Sequence, residues 1–147
     1  MAHARKQIRL AFITALSGLA TTGDNVFDSR VNKLSAKTLP AICVYTKNEI
    51  AERGRKGRPC SLHRNVKVHL DIYVKDRVDF ADDLDQICAE IEVAIYEDDD
   101  LQSLAKDIII ETTDPDYSSD GDKKLAFCQL VYSVDYVTAE NDPTTLL

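Results

Sequence analysis

An α+β fold, with a mainly antiparallel sheet of about four or five strands and helices packed on one face, is predicted by three observations. Residues 65–75 alternate apolar and polar with period two. Two stretches, about 4–19 and 79–96, repeat apolar residues at helical spacing. The elements follow the order helix, short strand, two or three strands, helix, two strands.

Each element has its own signal. In the first helix, Ile8, Ala11, Phe12, Ala15, Leu16 and Leu19 form one apolar face, and Thr21-Thr22-Gly23-Asp24-Asn25 closes it with turn chemistry. Val26-Phe27-Asp28 is a short extended piece. After Pro40, Ala41-Ile42-Cys43-Val44-Tyr45 has strand composition. In residues 65–75, Val66, Val68, Leu70, Ile72 and Val74 share the buried face, and Asn65, Lys67, His69, Asp71 and Tyr73 share the polar one. The second helix buries Phe80, Leu84, Ile87, Ile91 and Ala94, with Asp79 as N-cap and Asp82, Asp83 and Asp85 near its positive end. Glu97-Asp98-Asp99-Asp100 is unfavourable in a last turn, so this helix is expected to end near Tyr96. Residues 106–112 read as a strand and 114–122 as an acidic turn. The last long strand, about 124–138, places Ala126, Cys128, Leu130, Tyr132, Val134 and Tyr136 on one face. A single domain over residues 1–147 is expected, with a mobile loop at 50–60 and a loose C-terminal tail at 140–147.

Composition narrows the function classes. Hydrophobic residues are 44% and charged residues 29%, which is ordinary globular composition rather than disorder. No apolar run reaches the length of a membrane span. The basic N-terminus leads into an interrupted, helically spaced apolar pattern, which reads as a domain helix and not a signal peptide. Cys43, Cys60, Cys88 and Cys128 form no CxxC pair and read as free thiols, which suits a reducing compartment. Net charge is −7, yet residues 1–77 carry +9 and residues 78–147 carry −16. Either the folded chain shows opposite charges on two sides, suited to head-to-tail packing of identical subunits, or the halves interleave and the asymmetry fades.

Candidate chemistry is sparse. Cys60, His63 and His69 are the one metal-like grouping, but their spacing is wrong for zinc. His69 and Asp71 could form an oriented base, yet no nucleophile accompanies them; cross-strand polar pairing or a subunit contact is the preferred reading. The acidic stretch 114–122 lacks the ligand spacing of a calcium loop and reads as a hairpin turn. The loop Arg53-Gly54-Arg55-Lys56-Gly57-Arg58 is the strongest binding feature. It has no aromatic residues for base stacking and does not match a P-loop. The favoured reading is a basic loop that orders against an acidic protein partner. The candidate partner-binding residues are therefore Arg53, Arg55, Lys56 and Arg58, and, in the acidic turn, Asp116, Asp120 and Asp122.

Four features in order carry a resemblance: the N-terminal helix followed by Val26-Phe27-Asp28-Ser29-Arg30; Leu39-Pro40-Ala41-Ile42-Cys43-Val44-Tyr45; His69-Leu70-Asp71-Ile72-Tyr73-Val74 leading into the Asp-rich helix; and the acidic turn followed by Leu130-Val131-Tyr132-Ser133-Val134-Asp135-Tyr136. Together they resemble the tail-terminator family of long, non-contractile phage tails, the lambda-type minor tail protein U. The insert 53–58 is more basic than the family pattern. The resemblance implies a non-enzymatic subunit of the virion tail, without cofactor or metal, assembled in the host bacterial cytoplasm. It implies a homo-oligomer, a hexameric ring, that caps the tail tube, stops polymerisation of the major tail tube protein and offers a surface to a head-completion or neck protein. DNA would pass through the lumen without specific binding, and no membrane is involved. Two other readings stay open: a neck or head-completion protein of similar fold, and a nucleic-acid-binding module using loop 53–58.

Overall fold

The computed structural model describes residues 1–29, 39–75, 79–116 and 125–147. The elements are α1 (Ala4–Leu16), β1 (Val26–Asp28), β2 (Ala41–Arg53), β3 (Ser61–Lys75), α2 (Phe80–Glu97), α3 (Asp99–Leu104), β4 (Asp107–Asp116), β5 (Leu125–Ala139) and β6 (Asp142–Leu146). They build a six-stranded sheet in the order β1-β2-β3-β5-β4, with β6 added to β5. All pairings are antiparallel except β1 with β2. This is the expected α+β class, with more strand than the sequence pattern marks.

The two long central strands explain the core. On β3, Val66, Val68, Leu70, Ile72 and Val74 are buried, and on β5 so are Ala126, Cys128, Leu130, Tyr132, Val134 and Tyr136. Alternation puts both sets on the same face. Against that face pack Ala4, Ile8, Phe12 and Leu16 of α1, Leu84, Ile87, Cys88, Ile91 and Ile95 of α2, and Leu101 of α3. The Phe12 ring meets Tyr132 edge-on at 5.8 Å. At ~2 kcal/mol for each large apolar side chain removed from water, this single layer dominates the favourable side of folding.

Several boundaries differ from the sequence expectation, each for a local reason. Helix α1 stops at Leu16 instead of running to residue 19. Gly18 sits at φ +87°, a left-handed conformation that ends helices, and Leu19 instead bridges to Gly23. Helix α2 ends at Glu97, and the acids beyond it start a new helix. The Asp98 side chain accepts a hydrogen bond from the Leu101 N–H at 2.8 Å, so α3 uses this charge at its favourable end. Asp79 holds the N-cap position of α2 but makes no capping hydrogen bond with its side chain. Strand β2 continues through residues 50–53, the start of the expected loop. Strand β4 continues through Asp114, Pro115 and Asp116, where the sequence suggested a turn. Proline fits there because β4 lies at the sheet's border.

The expected loose tail at 140–147 is corrected. Asp142–Leu146 forms β6, and the Leu147 N–H donates to the Val137 carbonyl at 2.9 Å. Gln7 of α1 also reaches across to donate to the Thr144 carbonyl at 2.7 Å. Because β3 occupies the other flank of β5 throughout, β6 lies on the same flank as β4, beyond its end.

Candidate interaction surface

The basic loop is held at its base. The Gly54 N–H donates to the Ser61 carbonyl at 3.0 Å, extending the β2–β3 ladder by one rung. Arg53 Nη2 donates to Glu140 Oε2 at 3.0 Å and to the Gly57 carbonyl at 2.8 Å, while its Nε lies 3.2 Å from Cys60 Sγ. The buried Cys60 thiol donates to the same Glu140 oxygen at 2.6 Å. Hydrogen bonds, first from Cys60 and then from Arg53, hold the Glu140 carboxyl below its ordinary pKa. Two glycines shape the loop. Gly57 turns the tip at φ +103°, and a Cβ on Gly54 would come within 2.8 Å of Ser61 Oγ. Of the four predicted cations, Arg53 is thus built into the loop's base, and Arg55, Lys56 and Arg58 remain exposed around it.

The acidic residues lie at the opposite border of the sheet. Strand β4 carries Asp107, Glu111, Asp114 and Asp116 and contains no Lys or Arg. Asp107, Glu111 and Asp114 are exposed, as are Ile109 and Ile110. Glu111 pairs with Lys67 of β3 at 2.9 Å. Asp116 closes the strand, and the predicted contacts Asp120 and Asp122 lie outside the described residues. The two predicted patches are therefore not brought together. The basic loop caps the end of the β2–β3 hairpin, beside Glu140, whereas the acidic residues run along β4 on the far side of β5.

The sheet face turned away from the helices is polar. Asp71 is fully buried and accepts from Gln129 Nε2 at 2.8 Å and from the Tyr45 hydroxyl at 3.3 Å. The His69 ring stacks on Tyr45 at 5.1 Å. This is the cross-strand polar pairing that the sequence favoured over an oriented base. Farther along, Ile50, Glu52, His63, Lys106, Asp135 and Val137 border a groove of about 280 Å³. Cys60 binds Glu140 and not His63, and among the described residues no group of three or more His, Cys, Asp or Glu side chains could hold a metal. No described helix is long and apolar enough to cross a membrane.

One cluster escapes sequence reasoning. A β-bulge between Lys47 and Glu49, with Asn48 at φ +48°, reverses the inside–outside alternation of β2. Glu49 thereby turns to the helix side. There it accepts from Arg5 Nη1 at 2.8 Å, from Arg64 Nη1 at 3.2 Å and from the Tyr136 hydroxyl. Burial and then this hydrogen bond push the Tyr136 phenol up, so it stays protonated. The bulge also turns Ile50 outward, where it is 72% exposed. The sequence signal was faint: an Asn, tolerant of positive φ, inside a β-like run.

Compared with known families, residues 3–136 match the model of the phage minor tail protein U family. Among curated proteins nothing matches.

Proposed function

The chain belongs to the phage minor tail protein U family, so it is a structural component of a bacteriophage tail, and from that premise we propose that it is the tail terminator. In this reading identical subunits form a closed, hexameric ring on the finished tail tube. The ring ends polymerisation of the major tail tube protein and presents its other side to a head-completion or neck protein. DNA passes through the central hole with no base-specific contact. The subunit works without a cofactor and without making or breaking bonds, and it is assembled in the host cytoplasm.

One observation supports the reading beyond the family: a single sheet ends in a basic hairpin loop next to its β2 border and carries, at the β4 border, a strand whose charged residues are all acidic. Rotation about one axis brings unlike flanks of neighbouring copies together, the condition for a heterologous ring. Surface charges of opposite sign guide such docking and fix its direction.

Electron microscopy of the purified protein, alone and added to polymerising tube protein, tests this. A ring with a central hole, and tubes that stop elongating when it is present, are expected. A strict monomer that never associates with tube ends at any salt concentration would overturn the proposal. Pull-down by head-connector protein alone, with none by tube protein, would move the subunit to the neck. Changing Arg55, Lys56 and Arg58 to Ala is expected to weaken docking while the melting temperature stays within about 2 °C, because exposed loop substitutions shift stability little.

A further inference from the structure

We infer that neighbouring copies join by strand addition, the outer border of β4 in one copy pairing antiparallel with the outer border of β2 in the next, so that one continuous sheet runs around the assembly. The inference rests on the ring reading above and names the surfaces that close it.

Four observations lead there. First, both borders are open among the described residues. β1 pairs only with Ile42–Val44, so Tyr45–Arg53 has no strand on its outer side, and β4 pairs only with β5. Exposed edges of this length are templates for another strand. Second, strand direction fits. β2, β3, β5 and β4 alternate up and down, so β4 runs opposite to β2. A rotation axis along the strands preserves direction, so β4 of one copy meets β2 of the next antiparallel at every junction. Third, the heights agree. Through the ladder, Asp107 is level with Asp135, Asn65 and Ile50, and Thr112 with Val131, His69 and Tyr45. Residues 107–112 of β4 therefore stand level with the part of β2 that no described strand borders on its outer side, above the stretch that β1 covers. Fourth, the side chains complement each other. Lys47 of the β2 border is level with Ile109 and so stands between Asp107 and Glu111 of the opposing β4, while Arg55, Lys56 and Arg58 of the exposed loop lie beyond the Asp107 end, where Glu52 and Lys106 are exposed too. Ile50 and Ile109, 72% and 54% exposed, both lie on the sheet face away from the helices; Ile50 is level with Asp107 and Ile109 with Lys47, so pairing would make them diagonal neighbours and cover part of each.

A mixing experiment tests the join. Variant one carries Asp107→Lys and Glu111→Lys; variant two carries Lys47→Glu and Arg55→Glu. Each alone would set like charges against each other at every junction, whereas an alternating ring of the two would set unlike charges there. Sedimentation at matched concentration is expected to show at least tenfold less assembly for either variant alone, and recovery in an equimolar mixture. Amide exchange on the unsubstituted protein provides a second readout: residues 45–53 and 107–112 should slow at least tenfold on assembly. Rings from each variant alone at the unsubstituted level, or rings whose border amides exchange as fast as in the monomer, would overturn the join and leave the ring reading standing. An unsubstituted protein that forms no ring under any condition would remove the ring reading, and the join with it.

Discussion

Asp142 shows how one side chain can turn an unpromising segment into structure. Asn141-Asp142-Pro143-Thr144-Thr145 has the composition of a loose turn, which is why the sequence suggested no strand here. In the fold the Asp142 carboxylate accepts hydrogen bonds from the Thr144 N–H, the Thr144 hydroxyl at 2.6 Å and the Thr145 hydroxyl at 2.7 Å. These bonds, led by Thr144, lower its pKa to about 2. A depressed carboxyl pKa adds stability that is complete above the unfolded value and lost as pH falls through the folded one. The β6 turn is therefore expected to hold at pH 4 and to loosen between about pH 4 and pH 2. An NMR titration of the Asp142 carboxyl should show a midpoint near 2; a midpoint in the ordinary aspartate range would mean the threonine hydrogen bonds do not form. By contrast, the roles of His69 and Asp71 were legible, because both lie on an uninterrupted strand whose alternation assigns them one face.

Regular elements announced themselves and interruptions did not. The core faces of β3, β5, α1 and α2 follow from periodicity, since burial on one side leaves an apolar residue at every second position of a strand or every third and fourth of a helix. A bulge shifts that pattern by one residue, and nothing in the composition of Lys47-Asn48-Glu49 states where the shift falls. The shift matters energetically. Glu49 and Arg64 expose only 13% and 11% of their side chains, so removing the carboxylate leaves a poorly solvated guanidinium. Glu49→Ala is expected to cost about 3 kcal/mol in chemical denaturation, and Glu49→Gln clearly less because the amide oxygen still accepts from Arg64 and Tyr136. Equal losses for both substitutions would show that the charge, and not the hydrogen bonding, holds this corner.

At the level of the whole molecule, the two stretches of opposite net charge, +9 over residues 1–77 and −16 over residues 78–147, supply different strands of the sheet. The first half of the chain supplies β1, β2 and β3, and the second supplies β4, β5 and β6; the halves meet at the β3–β5 ladder, leaving the β1–β2 border on one side and the acidic β4 on the other. Sequence alone left this open, because a strand of one half could have been inserted within the other. Assembly guided by such flanks should weaken with salt, since the screening length shrinks from about 10 Å at 0.1 M to about 3 Å at 1 M. Sedimentation at these two concentrations is expected to show fewer assembled copies in the second; equal amounts would mean that apolar contacts alone direct association. The all-acidic make-up of β4 also bears on the solitary subunit. Strand borders are sticky, and two identical ones brought face to face would yield a symmetric dimer or a disordered clump. With the same negative sign on every copy, β4 would repel its twin and favour a border of another kind, which on the proposed ring keeps a newly made subunit apart from its like until the right neighbour arrives.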